Sequence, residues 1–267
     1  MTIVEQQGVR LAGEAFVSAA ENGNAVEVTV ERLGNLDGAA SVNVVATADG
    51  TATVDDDFTA ATQTVSWSNG EGGAKIAMFP ITDDNLVEAD ETFSVSLANP
   101  NGVELAAPTN ATATITDDDS TVTMTMATAS IGEAGGSVEI TAERVGAVFL
   151  PISVDIATLA GSASSPEDFM ALPAGTTLTW DAGSAGPRSV NVSIVDNGTP
   201  DSERVFTASI APSAGEGNVA IGDPAQTVVS IADDDAEIRF AETEVMVSED
   251  DGSATLTVER FTTGTGA

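Results

Sequence analysis

The sequence predicts an all-β protein made of tandem seven-stranded, immunoglobulin-like two-sheet sandwiches, with a truncated third unit. Three observations predict it. The chain repeats itself with a period of about 113 residues, a length typical of an independent domain. Within each repeat, apolar residues alternate with polar ones, as in a strand with one buried face. Gly, Asn, Asp and Pro interrupt these segments, leaving about seven short strands per repeat.

Collinear matches define the repeat. ITDDD at residues 115–119 returns as IADDD at residues 231–235, and Trp67 corresponds to Trp180. This period is too long for a solenoid repeat, so each unit is expected to fold around its own core. The matches predict one sandwich at residues 1–119, a second at 120–235, and the first strands of a third, incomplete repeat at 236–267.

The alternation places corresponding strands in each unit. Val26, Val28 and Val30 alternate with polar residues, and both tryptophans fall at strand positions that we expect in the core. No segment has a sustained 3.6-residue apolar stripe, so no long helix is predicted. Alternation also occurs at Val138, Ile140 and Ala142, at Ala254, Leu256 and Val258, at Ala77, Phe79 and Ile81, at Val190, Val192 and Ile194, at Phe93, Val95 and Leu97, and at Phe206, Ala208 and Ile210.

Composition narrows the function. Asp plus Glu number 42 against 8 Lys plus Arg, for a formal charge of −34. Such a surface repels nucleic acids and anionic membranes, and no apolar run approaches the roughly 20 residues of a membrane helix. We therefore expect no nucleic acid partner and no membrane insertion. The sequence has no Cys or His, which excludes thiolate and imidazole ligands and leaves oxygen donors that suit calcium or magnesium.

The acidic residues in the loops predict cation binding. Like charges about 4 Å apart repel by about 1 kcal/mol even in bulk water, and a divalent cation removes that repulsion. Loops of a sandwich alternate between its two ends, so carboxylates distant in sequence can meet and supply the six to eight oxygens of calcium. An acidic surface of the halophile type is the alternative. The first-unit acids are Glu21, Asp55, Asp56, Asp57, Asp83, Asp84, Glu88, Asp90, Glu91, Asp117, Asp118 and Asp119.

The ordered segments ENG, DGTATVDDDF, ITDDNLVEADETFSVSL and ATATITDDD resemble the Calx-β domain of sodium–calcium exchangers, an integrin subunit and large bacterial surface proteins. EAGG, PEDF, IVDNGTPDSERVFTASI and VVSIADDD follow in the second unit, and SEDDGSATLTVER in the third. The resemblance covers nearly the whole chain and implies a calcium-binding sandwich. The ligands that it implies are Glu21, Asp57, Asp83, Asp84, Glu88, Glu91, Asp117, Asp118 and Asp119, then Glu133, Asp168, Asp196, Asp201, Asp233, Asp234 and Asp235.

The second unit departs from this pattern at two positions. Asn197 stands where the first unit has Asp84, and Arg204 stands where it has Glu91. Because a guanidinium can occupy the space of one ion, we expect fewer or weaker calcium ions there. The third unit, as given, lacks the later loops and is expected to complete no site.

We expect a non-catalytic calcium-binding structural or adhesion segment, because each terminal DDD runs directly into the next unit. Bound ions would then rigidify the array. The expected partners are calcium ions, neighbouring repeats, other copies of the chain or a cell-surface ligand. Paired carboxylates can serve a glycosidase, but aromatics are 4% of the residues and Tyr is absent, so we predict that the protein is not an enzyme.

The expected location is extracellular or at the cell surface. No signal peptide is visible at the N-terminus, so the sequence is predicted to be a fragment of a longer exported chain. Two alternatives stay open. One is a cytoplasmic calcium-sensing segment of a membrane protein. The other is a fibre-forming subunit in which the third-unit strands complete a neighbouring copy by strand addition.

Overall fold

A computed structural model describes residues 8–13 and 16–261 and contains two compact units, Met1–Ser120 and Thr121–Ala267. Residues 1–7 and 14–15 of the predicted first unit, which include the N-terminus, and residues 262–267 of the predicted third unit lie outside the described residues. Within the described residues, the regular structure is β-strand apart from three short 3₁₀ turns. The predicted all-β sandwich fold is therefore confirmed, whereas the exact boundaries of three units stay a prediction.

The first unit is a sandwich of a three-stranded and a five-stranded sheet. The sheet orders are β1-β3-β6 and β2-β8-β7-β4-β5, so the first two strands of the chain belong to different sheets. The strands are β1 Gly8–Leu11, β2 Phe16–Ala20, β3 Ala25–Leu33, β4 Ala40–Thr47, β5 Thr62–Trp67, β6 Gly73–Pro80, β7 Glu91–Asn101 and β8 Asn110–Thr116.

The first core lies between these two sheets, as the alternation predicts. Val26, Val28 and Val30 of β3 are buried, and so is Trp67, whose indole Nε1 donates a hydrogen bond to the carbonyl of Gly73 at 3.1 Å. Phe58 stacks on Phe93 with ring centroids 4.2 Å apart. The stack anchors the long loop between β4 and β5 to the core.

The second unit repeats this arrangement with one more short strand, which makes its smaller sheet four-stranded. Its sheet orders are β14-β11-β9-β16 and β10-β17-β15-β12-β13. Trp180 is buried, and Phe169 stacks on Phe206 at 4.3 Å. The strands are β9 Ser120–Met124, β10 Thr128–Gly132, β11 Ser137–Gly146, β12 Ile152–Ala160, β13 Thr177–Trp180, β14 Gly186–Ser193, β15 Arg204–Pro212, β16 Val219–Ile221 and β17 Gln226–Ala232.

The segment that follows is a separate two-stranded antiparallel sheet of β18 Glu237–Phe240 and β19 Val258–Phe261. Its apolar side chains are exposed, with Ile238 71% and Phe240 59% accessible. The equivalent strands of the other units bury such residues against a second sheet. In the described residues, no helix has the length and apolar character needed to cross a bilayer.

A buried arginine organises one end of each sandwich. Arg32 lies at the end of β3, only 2% exposed, and its guanidinium donates to the carbonyls of Gly38 and Glu71 at 3.1 and 3.2 Å. Arg144 of β11 is equally buried and donates to the carbonyls of Leu150 at 3.0 Å and Ser184 at 3.4 Å. Each guanidinium thus joins two loops at the end opposite the acidic clusters described below.

Candidate metal centres

The strand register brings distant acidic residues to one end of the first unit. β2 and β8 are parallel, with Ala20 opposite Thr116, so Glu21 and Asp117 leave the sheet side by side. Glu91 begins β7 opposite Ile115, next to the same strand end. An isolated bridge between Phe58 and Ile81 brings the loop that contains Asp57 to the end of β6. Four chain segments therefore deliver carboxylates to one surface.

The first cluster of this end contains Glu21, Asp117 and Asp119. Each supplies a carboxylate oxygen, and the three oxygens lie within 4.8 Å of one another. Glu21 and Asp119 are buried. Burial, then the charges of Asp84 and Asp119, raises the pKa of Glu21 to about 7. Burial and the charges of Asp117 and Asp118 raise the pKa of Asp119 to about 7 as well.

The second cluster contains Asp57, Glu88 and Glu91, whose carboxylate oxygens also lie within 4.8 Å of one another. Burial, then a side-chain hydrogen bond and the charge of Asp57, raises the pKa of Glu91 to about 7. Asp57 is fixed from its other side by the amide of Thr53, which donates to Asp57 Oδ2 at 2.5 Å. This hydrogen bond joins the carboxylate of Asp57 to the backbone of its own loop.

The other three predicted first-unit ligands lie beside these clusters. Asp118 is buried and accepts hydrogen bonds from Asn22, from the backbone amide at 3.2 Å and from Nδ2 at 2.6 Å. Asp83 and Asp84 are exposed on the loop after β6, and their charges contribute to the raised pKa of Asp119. The prediction had missed Asn22, although it stands in the ENG segment that carries the resemblance.

The second unit has one comparable cluster in the described residues. β10 and β17 are parallel, with Gly132 opposite Ala232, which places Glu133 next to the terminal acidic segment. Carboxylate oxygens of Glu133, Asp196 and Asp235 lie within 4.8 Å of one another. Burial is the main cause that raises the pKa of both Glu133 and Asp235. Asp233 is buried and Asp234 is exposed, and both charges act on Asp235.

The two remaining predicted ligands of the second unit face an arginine. Arg204 Nη1 lies 3.2 Å from Asp168 Oδ2, and Arg204 Nη2 lies 2.6 Å from Asp201 Oδ2. Asp168 is buried and also accepts a hydrogen bond from the amide of Ser164 at 2.7 Å. Asn197 donates through its backbone amide, at 3.0 Å, and through Nδ2 to Glu133 Oε1.

Unsatisfied oxygens show whether a cation fits the clusters that contain Glu21 and Glu133. Asp119 Oδ1 and Oδ2, Asp117 Oδ1 and Asp235 Oδ2 are buried and accept no hydrogen bond from any described residue. A buried carboxylate oxygen without a donor is costly. Two unit charges about 4 Å apart near a protein surface repel by about 4 kcal/mol. A divalent cation bound by these oxygens would remove both costs, so the residues of these two clusters fit calcium.

The fold and these clusters define a class: tandem β-sandwiches with carboxylate clusters suited to a divalent cation at one end of each unit. The Calx-beta domain family matches residues 12–119, 117–235 and 232–266. The chain belongs to the Calx-beta domain family and contains such domains in tandem.

Three curated proteins contain segments similar in sequence to this chain. The chain is 28% identical to adhesion G-protein coupled receptor V1 of Danio rerio over 98% of its length, and 26% identical to the extracellular matrix organizing protein FRAS1 of Mus musculus over 92%. It is 39% identical over 37% of its length to the sodium/calcium exchanger Calx of Drosophila melanogaster. The chain spans 4%, 6% and 10% of these relatives, respectively.

Solved structures of similar sequence exist. Calcium binding domain CBD12 of CALX1.1 is 22% identical, with a TM-score of 0.43 over 83% of this chain and 98% of that one. The apo-form Calx CBD1 domain is 35% identical, with a TM-score of 0.38 over 42% of this chain and all of that one.

Proposed function

We propose that the chain is a non-catalytic calcium-binding segment of an extracellular or cell-surface array. The observation that carries the proposal is the buried cluster of Glu21, Asp117 and Asp119, which holds three oxygens without a hydrogen-bond donor. Calcium accepts six to eight oxygen ligands in flexible geometry. Magnesium demands a strict octahedron and fits this assembly of separate loops less well.

The residues that would hold calcium fall into three groups. When bound, calcium supplies the positive charge and the coordination positions that the carboxylates lack. Asp83 and Asp84 border the first-unit groups and add to their negative field. The groups are Glu21, Asp117 and Asp119; Asp57, Glu88 and Glu91; and Glu133, Asp196 and Asp235.

Calcium at the first-unit groups would also stiffen the chain. Asp117, Asp118 and Asp119 are the only residues between β8 and β9. Ligation of this short segment restricts its backbone, so the proposal extends to a more rigid array in calcium. Binding to the folded form alone stabilises by about 2.7 kcal/mol at a hundredfold excess over Kd. Scattering profiles and melting temperature should therefore differ between EDTA and millimolar calcium.

Calorimetric titration tests the proposal directly. We expect wild-type protein to bind calcium at more than one site, and Asp117→Ala to bind fewer ions. Asp37→Ala is the matched control, because Asp37 is exposed at the opposite end of the same unit. Equal stoichiometry in Asp117→Ala and wild type, or no heat of binding in either, would contradict the proposed function.

The extracellular placement rests on the relatives that match most of the chain, an adhesion receptor and an extracellular matrix protein. The exchanger match favours a second candidate, a cytoplasmic calcium-sensing segment of a membrane protein. Affinity separates the two. An extracellular segment is expected to bind calcium more weakly than an intracellular sensor; in EF-hand proteins the two kinds of site have Kd values of about 10⁻⁴ to 10⁻³ M and about 10⁻⁷ to 10⁻⁵ M.

A further inference from the structure

The second unit differs from the first at the position of one candidate ion. In the first unit, Asp57 precedes Phe58, which stacks on Phe93, and Glu91 begins β7 opposite Ile115. In the second unit, Asp168 precedes Phe169, which stacks on Phe206, and Arg204 begins β15 opposite Ile231. The cluster of Asp57, Glu88 and Glu91 thus corresponds to Asp168, Asp201 and Arg204.

Arg204 lies where it can neutralise both carboxylates. Its two terminal nitrogens each approach a different carboxylate, at 3.2 Å for Asp168 and 2.6 Å for Asp201. Charge-assisted hydrogen bonds of this kind are stronger than neutral ones. The group carries a net charge of −1 when ionised, from two carboxylates and one guanidinium, whereas three carboxylates give its counterpart −3.

A second difference between the units, Asn197 in place of Asp84, also reduces the negative charge. In the first unit, the negative charge of Asp84 acts on the carboxylate of Glu21. In the second unit, Asn197 takes the place of Asp84 and donates its side-chain amide to Glu133. A repelling carboxylate has therefore become a hydrogen-bond donor. Arg204 thus supplies a positive charge, and Asn197 a hydrogen-bond donor, at positions where the first unit has carboxylates.

We propose that Arg204 takes the place of a metal ion in the second unit, closing the loops of Asp168 and Asp201 without calcium. The second unit then keeps one metal position, at Glu133, Asp196 and Asp235. This inference rests on the proposed function for the count of ions. The role of Arg204 in holding the two loops together is independent of calcium.

The first test is made in EDTA, where no metal contributes. In a Trp67→Phe background, Trp180 fluorescence reports on the second unit alone. We expect Arg204→Gln to lower the melting temperature of this unit by at least about 4 °C, because two carboxylates lose their partner. Arg188→Gln is the matched control. It removes an arginine of the same unit that donates to the carbonyl of Thr179 and lies 5.9 Å from the centre of the Trp180 ring, so the melting midpoints of the two variants are compared and not their fluorescence intensities.

The second test restores the acid of the first unit. Arg204→Glu should be less stable than Arg204→Gln in EDTA, and in calcium it should recover and bind at least one more ion than wild type. The proposal is overturned if Arg204→Gln melts like Arg188→Gln in EDTA, or if Arg204→Glu binds the wild-type number of ions. A wild-type chain that binds no calcium would defeat the proposed function, while the EDTA comparison would still decide the role of Arg204.

Discussion

Asp119 combines burial, a raised pKa and two side-chain oxygens without a hydrogen-bond donor. A carboxylate in this state opposes folding when it is ionised, and it becomes favourable only with a cation. The same residue should therefore destabilise the metal-free protein and stabilise the metal-bound one. A mutation of Asp119 should therefore change stability in opposite directions with and without the metal.

Asp119→Asn tests this at the residue scale. We expect the variant to melt higher than wild type in EDTA at pH 8, because the amide removes a buried charge. In calcium it should melt lower and bind fewer ions. Differential scanning calorimetry in both conditions measures the two shifts. Asp37→Asn makes the same chemical change at an exposed site and should leave both melting temperatures unchanged. If Asp119→Asn melts lower than wild type in EDTA, the charge of Asp119 does not destabilise the metal-free protein.

The dependence of stability on pH follows from the same group of carboxylates. The pKa values of Glu21, Glu91 and Asp119 are raised to about 7 in the folded protein, from ordinary values near 4. The folded state therefore binds protons more tightly than the unfolded state, and its extra stability is present at low pH. Without calcium, the melting temperature should fall as the pH rises from about 4 to about 7.

Calcium should reverse this trend, since it competes with those protons. In millimolar calcium, we expect the melting temperature to rise as the carboxylates lose their protons toward pH 7. Melting curves recorded across this range, with EDTA and with calcium, give the two slopes. Parallel slopes in the two conditions would show that the raised pKa values and the metal do not share the same oxygens.

At the scale of elements, the buried arginines join the loops at one end of each sandwich. Arg32 binds carbonyls on both sides of the end of its sandwich, from the β3–β4 loop and the β5–β6 loop. Burial of a guanidinium is tolerable because several carbonyl oxygens replace its water. Arg32 acts here together with two further links between these loops, from the amide of Gly38 to Asn69 Oδ1 at 2.7 Å and from the amide of Gly70 to the carbonyl of Leu36 at 2.9 Å.

Arg32→Met should lower the free energy of unfolding of the first unit by about 2–3 kcal/mol, because the carbonyls lose their donors. Urea denaturation followed by Trp67 fluorescence, in a Trp180→Phe background, measures it. The matched control is Arg10→Met, which removes the partly exposed ion pair with Glu31 and should cost no more than about 1 kcal/mol. Equal losses of unfolding free energy in Arg32→Met and Arg10→Met would contradict this stabilising role of Arg32.

Much of the fold follows from the sequence because its signals are local or repeated. The period-two alternation identifies the core face of β3, and the repeat transfers that assignment to β11. Arg32 was missed, although it continues the buried phase of Val28 and Val30. The repeated arginine in VERL, AERV and VERF was the available signal. A charged residue on a buried face at the same place in each repeat indicates a structural role.

The grouping of carboxylates could not be predicted in this detail. Alternation places acids in loops, but the partition into clusters depends on long-range pairing such as that of β2 with β8. The hydrogen bond from Asn22 Nδ2 to Asp118 is an example, because the sequence pattern does not indicate that these two residues are in contact. Arg204 could be identified as a departure from the acidic pattern, yet its two partners emerge only from the folded loops.

At the scale of the whole molecule, the exposed apolar residues of β18 and β19 favour association. Ile238 and Phe240 are both more than half exposed, and such strands are ready to pair or pack with another copy. We expect concentration-dependent self-association of the 267-residue chain in sedimentation velocity. The double variant Ile238→Thr and Phe240→Thr should reduce it. A wild-type chain that stays monodisperse at every concentration would exclude the strand-addition alternative.

The parallel pairing of β2 with β8 has a mechanical consequence. The first unit hydrogen-bonds its entering and leaving strands side by side in one direction over five residue pairs. Pulling the chain from its two ends drags these strands past each other lengthwise, so the bonds between them are loaded together rather than opened one at a time. Glu21 and Asp117 follow the two strand ends, so an ion held by both would bridge the two elements that tension separates.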